Sequence, residues 1–187
     1  MYREAGSPNT VLGYGFISHH SLLANCRPEL KYLNLEGDSI GTYTKDTEDT
    51  MFLIGTLSTG VRISFSHRGG SPFKGAPGLD WHIYGQTGEI HVTADGPYLP
   101  VGEKNMKIQV QNFEKGTVEE VLIPKDELDD LGIVTSNVGR AYNALKRGEL
   151  NCSFEDAVER HEFIAELYRE NGYFEGWTTV EMRVPGW

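Results

Sequence analysis

Between Thr50 and Thr93 the order of apolar and polar residues is that of strands. Val61-Arg62-Ile63-Ser64-Phe65-Ser66 alternates strictly, the period of a strand with one buried face. Met51-Phe52-Leu53-Ile54 before it is continuously apolar, which predicts cover on both faces. Ser58-Thr59-Gly60 separates the two, and Gly60 suits a tight turn that needs positive φ. Trp81 and Ile83, then Ile90 and Val92, alternate again about the turn Gln86-Thr87, which Gly85 and Gly88 bracket. Two antiparallel hairpins follow from this, joined by a long glycine-rich loop.

The flanks extend the pattern. Residues Met1 to Thr10 are polar, hold Gly6 and Pro8, and are expected to be weakly held. The run from Val11 to Asn25 lacks a helical period and reads as a strand that Arg27-Pro28 breaks. Leu30 to Leu35 alternates, Glu36-Gly37-Asp38 turns, and Ile40 to Tyr43 returns. Thr44 to Asp49 is a polar connection, and Ala94-Asp95-Gly96-Pro97 a turn. Lys107 to Gln111 and Val118 to Ile123 make a last hairpin about Glu114-Lys115-Gly116.

Two helices come late. The first places Val138, Ala141, Tyr142 and Leu145 on one stripe, with Thr135 or Ser136 as N-cap and Gly148 past its end. The second starts on the capping-box-like pair Ser153 and Asp156 and stops at Asn171-Gly172. Its stripe is Phe154, Ala157, Val158, His161, Ile164, Ala165 and Tyr168. A terminal strand near Val180 is expected in the tail. Strands first and helices last predict an α+β fold, an open, mostly antiparallel sheet with the two C-terminal helices on one face. The other face is then an interface.

Three segments carry a resemblance. GTLSTGVRISFSHRGG, WHIYGQTGEIHVT and FEDAVERHEFIAELYRENG resemble the C-terminal domain of the glucose–fructose oxidoreductase/inositol dehydrogenase (Gfo/Idh/MocA) family. The run from Arg68 to Leu79, RGG-x-PF-x-G-x-PGL, is most similar to the branch of the fungal galactose/lactose metabolism regulatory protein. The similarity runs from about Thr10 to Gly172. It implies one C-terminal substrate-side and dimerisation domain over 11–187, and a homodimer through the open face of the sheet. It also implies a Rossmann domain, missing from this chain, that binds NAD(P) in the family's full-length proteins. The family's catalytic lysine lies in an E-K-P motif, but Glu103-Lys104 and Glu114-Lys115 are followed here by Asn105 and Gly116. No catalytic, cofactor-binding or metal residue is therefore carried over, and the isolated chain is expected to turn over no NAD(P).

Composition narrows the partners. The 187 residues are 39% hydrophobic, with eight Phe, nine Tyr and three Trp, enough for a substantial core. A formal net charge of -10 argues against nucleic acid and against anionic membrane surfaces. No stretch approaches the length of a spanning helix, and MYREAGSPNT is no signal peptide. Cys26 and Cys152 match no zinc or redox spacing and read as free thiols. The expected location is the cytoplasm, or the nucleus for a regulator.

The candidate chemistry is sparse. There is no G-x-S-x-G, phosphate loop or G-x-G-x-x-G. His19 and His20 are adjacent in a strand and point to opposite faces, and His67, His82, His91 and His161 show no zinc spacing. Glu119-Glu120 and Asp129-Asp130 read as solvated surface. The loop from His67 to Leu79 is the best binding candidate. Within it Arg68 and Lys74 suit a carboxylate, a phosphate or an acidic partner segment, Phe73 an apolar contact, and Gly69-Gly70 close approach. The alternative is a loop packed on its own sheet. Two functions stay open: the substrate-side domain of an NAD(P)-dependent sugar or polyol oxidoreductase, or a domain of a non-catalytic regulator that binds a dinucleotide and an activator peptide.

Overall fold

The computed structural model describes residues 12, 15–96, 105–122, 125–149 and 153–173. In chain order these form β1 (Phe16–Ala24), β2 (Glu29–Leu33), β3 (Ser39–Thr44), β4 (Thr50–Leu57), β5 (Arg62–Arg68), β6 (Leu79–Tyr84), β7 (Gly88–Ala94), β8 (Lys107–Asn112), β9 (Thr117–Glu120), a short 3-10 turn (Asp129–Leu131), α1 (Ile133–Lys146) and α2 (Phe154–Glu170). The expected N-terminal segment, the strand near Val180 and Cys152 lie outside the described residues. The chain divides into two compact units, with breaks after Gly69 and after Ser153. β1 to β5 and α2 belong to one unit, β6 to β9 and α1 to the other.

In the first unit β1, β4 and β5 pair antiparallel, with β4 central. Ser21 faces Leu53, which faces Phe65; one step along, His19 faces Gly55, which faces Ile63. Leu53 and Leu57 are buried, and α2 packs against β1. The Phe163 ring stacks on Phe16 at 4.9 Å and meets His19 at 5.1 Å. Leu167 is buried, Ser21 Oγ donates to Glu170, and the Leu23 N–H donates to Asn171 Oδ1. Phe16 lies so close to Gly55 that a Cβ there would meet the ring at 2.7 Å. Residue 55 must be glycine for the aromatic stack to form.

The face opposite is open. Leu22 pairs with Phe52, and Ile54 lies two residues on; all three are exposed. The apolar run Met51 to Ile54 is thus covered on one side only. The expected stripe of α2 is divided: Ala157, Ala165 and Tyr168 are half-buried, while Phe154 is 88% exposed and Val158, His161 and Ile164 are exposed. Phe163 and Leu167 decide the docking, because β1 offers an aromatic partner and hydrogen-bonding groups to that side of the helix.

β2 and β3 form a separate hairpin around Gly37, which has φ 90° where the turn was expected. In the second unit β6-β7-β8-β9 make an antiparallel meander. Trp81, Val92 and Ile108 share one face with Ile83, Ile90 and Val110. Val92 and Ala94 are buried there. Asp80, His82, Glu89, His91 and Gln109 take the other face. α1 packs on the 3-10 turn, where Arg140 bonds both Asp126 and Asp129. It begins at Ile133 behind Gly132 (φ 80°), not at Thr135 or Ser136, and Ser136 is buried inside it. Gly148 (φ 76°) ends it as expected, with the Glu149 N–H donating to the Ala144 carbonyl. Val138, Tyr142 and Leu145 of its expected stripe are exposed.

The class is α+β, with antiparallel sheets and late helices, as the sequence predicts. The strands fall into three sheets instead of one, and the helices belong to different units instead of sharing one face. The loop after Arg68 ends the first sheet, and β6 starts a new one.

Candidate functional site

The loop from Gly69 to Gly78 is tied down at both ends. At its start the Gly69 N–H donates to the Asp49 carbonyl at 2.6 Å. A Cβ on Gly69 would lie 2.8 Å from an Arg27 nitrogen and 3.2 Å from Asp49 Cβ. At its end the Gly78 N–H donates to the Ala94 carbonyl at 2.8 Å, and a Cβ there would lie 2.3 Å from the Asp95 carbonyl oxygen. Between the ties, the Ala76 N–H donates to the Phe73 carbonyl, and Gly75 at φ 88° takes the third position of that turn. The turn leaves Phe73 81% exposed and Lys74 exposed.

The residues read from the sequence therefore separate. Arg68 is the last residue of β5, paired with Thr50. Arg68 and Gly69 belong to the first unit; Gly70 (φ 95°), Phe73 and Lys74 belong to the second. Gly69 serves anchoring, while Phe73 and Lys74 stand at the tip.

The anchor itself depends on a residue the sequence reading passed over. Asp49 Oδ1 accepts from the Cys26 N–H and the Thr50 hydroxyl; Oδ2 accepts from the Arg27 N–H and from Lys45 Nζ at 2.9 Å. Its own N–H donates to the Ala24 carbonyl. The Asp49 side chain thus joins the segment after β1 to the start of β4, and its backbone carbonyl holds Gly69 at the end of β5. The Lys45 hydrogen bond, with help from the Cys26 N–H, holds its carboxyl far below the ordinary value of 3.8. Two of its partners, Cys26 and Arg27, lie more than twenty positions away in sequence, so no local motif marks it.

A second surface is the open face of the β1-β4-β5 sheet. Leu22, Phe52 and Ile54 lie at its centre; His20, Ser64 and Ser66 are their cross-strand neighbours. His19 points the other way, to α2, as expected for adjacent strand residues. Every strand pair among the described residues is antiparallel. Among the described residues no helix is long and apolar enough to cross a membrane.

The open apolar sheet face belongs to the first unit, and the exposed loop tip to the second. Residues 9–94, a little under half of the chain, match the family model described as the Gal80p C-terminal domain. A super-repressor mutant of Gal80p from Saccharomyces cerevisiae has a similar fold, with TM-score 0.66 and 18% identity over 82% of this chain and 42% of that one. The transcriptional regulator Gal80p from Kluyveromyces lactis is similar with TM-score 0.63 and 19% identity, over 84% of this chain and 39% of that one. The chain thus spans about two-fifths of the length of these proteins. No curated protein matches it.

Proposed function

We propose that this chain is the dimerising, partner-binding half of a Gal80p-like regulator, with the β1-β4-β5 face meeting the same face of a second copy. The exposed Leu22, Phe52 and Ile54, on the side of the sheet away from α2, carry this reading. Such a contact between identical faces closes as a twofold dimer and buries apolar surface that a monomer leaves in water. NAD(P) then belongs to a Rossmann-type domain and not to these residues. The cytoplasm or the nucleus is the matching location. Light scattering is expected to give a dimer at micromolar concentration, and Phe52→Asp with Ile54→Asp a folded monomer. A monomeric wild type would sink this reading.

The loop tip supplies the second half of the proposal. Phe73 and Lys74, exposed together, suit a partner segment that mixes acidic and apolar residues, such as an activator peptide. In the complete protein, Arg68→Glu with Lys74→Glu is expected to weaken binding of such a peptide tenfold or more. Unchanged binding would remove the loop from the account. The sugar- or polyol-oxidoreductase reading rests on Ile83-Tyr84-Gly85-Gln86-Thr87-Gly88-Glu89-Ile90, a run common to enzymes and regulators of the resembled family. An upstream G-x-G-x-x-G with E-K-P would favour that reading.

A further inference from the structure

The β6-β7 hairpin gathers side chains that spacing along the chain keeps apart. Its register sets His82 directly opposite His91, and Asp80 and Glu89 fall on the same face of the sheet. The two imidazoles stack with centroids 4.2 Å apart and planes 19° apart. Both aim the same nitrogen at one oxygen. His91 Nε2 lies 2.7 Å from Asp80 Oδ1, and His82 Nε2 lies 3.2 Å from it. On its other side, His82 Nδ1 is in hydrogen-bond contact with Glu89 Oε1.

We propose that Asp80, His82 and His91 form a site for a divalent transition-metal ion of the Zn2+ type, with Glu89 as the positioning residue of His82. Three features carry this. First, the Nε2 atoms of His82 and His91 converge on one carboxylate oxygen, Asp80 Oδ1, so that three ligand atoms of two residue types that bind metals surround one point. Second, the dimensions fit. Ligand atoms about 2.0–2.1 Å from a tetrahedral zinc lie about 3.4 Å from one another. The ligand atoms of Asp80, His82 and His91 all lie within 4.8 Å of one another, and the two edges to Asp80 are 2.7 and 3.2 Å. Small rotations of partly exposed side chains complete the triangle. Third, a carboxylate behind a histidine ligand is the usual device that fixes its tautomer and ring plane. Glu89 occupies that place, and its side chain is far less exposed than that of Asp80.

Two imidazoles with one carboxylate select Zn2+, Cu2+ or Ni2+ over Mg2+ and Ca2+, which prefer all-oxygen shells. The outer side stays open to solvent, as the part-exposed rings of His82 and His91 require. The ion would bridge β6 and β7 and so add to the stability of the second unit by mass action. The other group of this kind among the described residues, His19 with Glu166 and Glu170, offers one imidazole only.

The test is titration of the untagged chain, stripped with a chelator, with zinc chloride in a calorimeter. One Zn2+ per chain at micromolar protein is expected, together with a higher melting temperature. Mg2+ should give neither. His82→Ala and His91→Ala should each weaken binding about 100-fold, and Glu89→Gln about tenfold. Co2+ in place of Zn2+ should show the strong visible absorption of a tetrahedral site, lost in His82→Ala. Both histidines are at the surface, so the variants should keep the wild-type circular dichroism. The proposal is overturned by absence of Zn2+ binding, by binding that survives the His82→Ala, His91→Ala double change, or by binding that is lost only in His19→Ala.

Discussion

Asp49→Ala is expected to lower the melting temperature by about 5 °C or more, while Asp46→Ala, in the same connection, leaves it nearly unchanged. The reason is the number of donors that depend on one carboxylate. Removal leaves the Cys26 and Arg27 N–H groups without their acceptor and frees Lys45 beside them. The side chain is only 8% exposed, so water does not replace it easily. Asp49→Asn keeps the shape and one acceptor oxygen, and should fall between wild type and alanine. The pH dependence has a definite sign. The folded carboxyl titrates below its ordinary value of 3.8, so it releases its proton more readily folded than unfolded. Its contribution is complete above that value and is lost as the pH falls below it. Thermal melts from pH 6 downward should show this loss in the wild type and a flatter profile in Asp49→Asn. An equal slope in both would show that Asp49 is not the group responsible.

Gly88→Ala is expected to destabilise the second unit by about 3 kcal/mol in denaturant unfolding. The methyl group would sit 2.3 Å from the Gln111 carbonyl oxygen, and the clash is with the backbone of the neighbouring strand. Neither side can rotate away. β7 would have to separate from β8 at its first pair, Gly88 with Asn112, and carry Ile90 and Val92 with it. Gly116→Asn is the control. Gly116 has φ 64° with nothing within 4 Å of an added Cβ, and asparagine tolerates that conformation at about 1 kcal/mol or less. Comparable losses at the two positions would mean that backbone conformation, and not the close strand contact, sets the cost.

The strands and their turns were legible because each signal is local. Alternation from Val61 to Ser66 and the glycines at 37, 60 and 116 mark hairpins whose partners are near neighbours. What was not legible depends on distant pairing. β1 and β4 join residues 26 to 41 positions apart, so the sequence does not say how many sheets the strands make. The packed face of α2 was misjudged because an apolar stripe was present and Phe163 lay off it. Aromatic stacking on Phe16 outweighed the larger but unmatched stripe. The loop was found from its composition, yet its anchor Asp49 was not. The same blindness hid the histidines: spacing rules describe ligands on one turn or helix, whereas His82 and His91 meet only once the hairpin register is known.

The first unit is interrupted. Its five strands precede Gly70, and the helix that covers β1 follows Ser153. Ser21 waits for Glu170, 149 positions later. On the ribosome, therefore, the earliest part of this chain to emerge is the last to be finished. For several seconds of synthesis β1 presents Phe16, His19 and Leu23 with nothing laid over them. A chain cut after Ser153 would keep the second unit but lose the helix that closes the first.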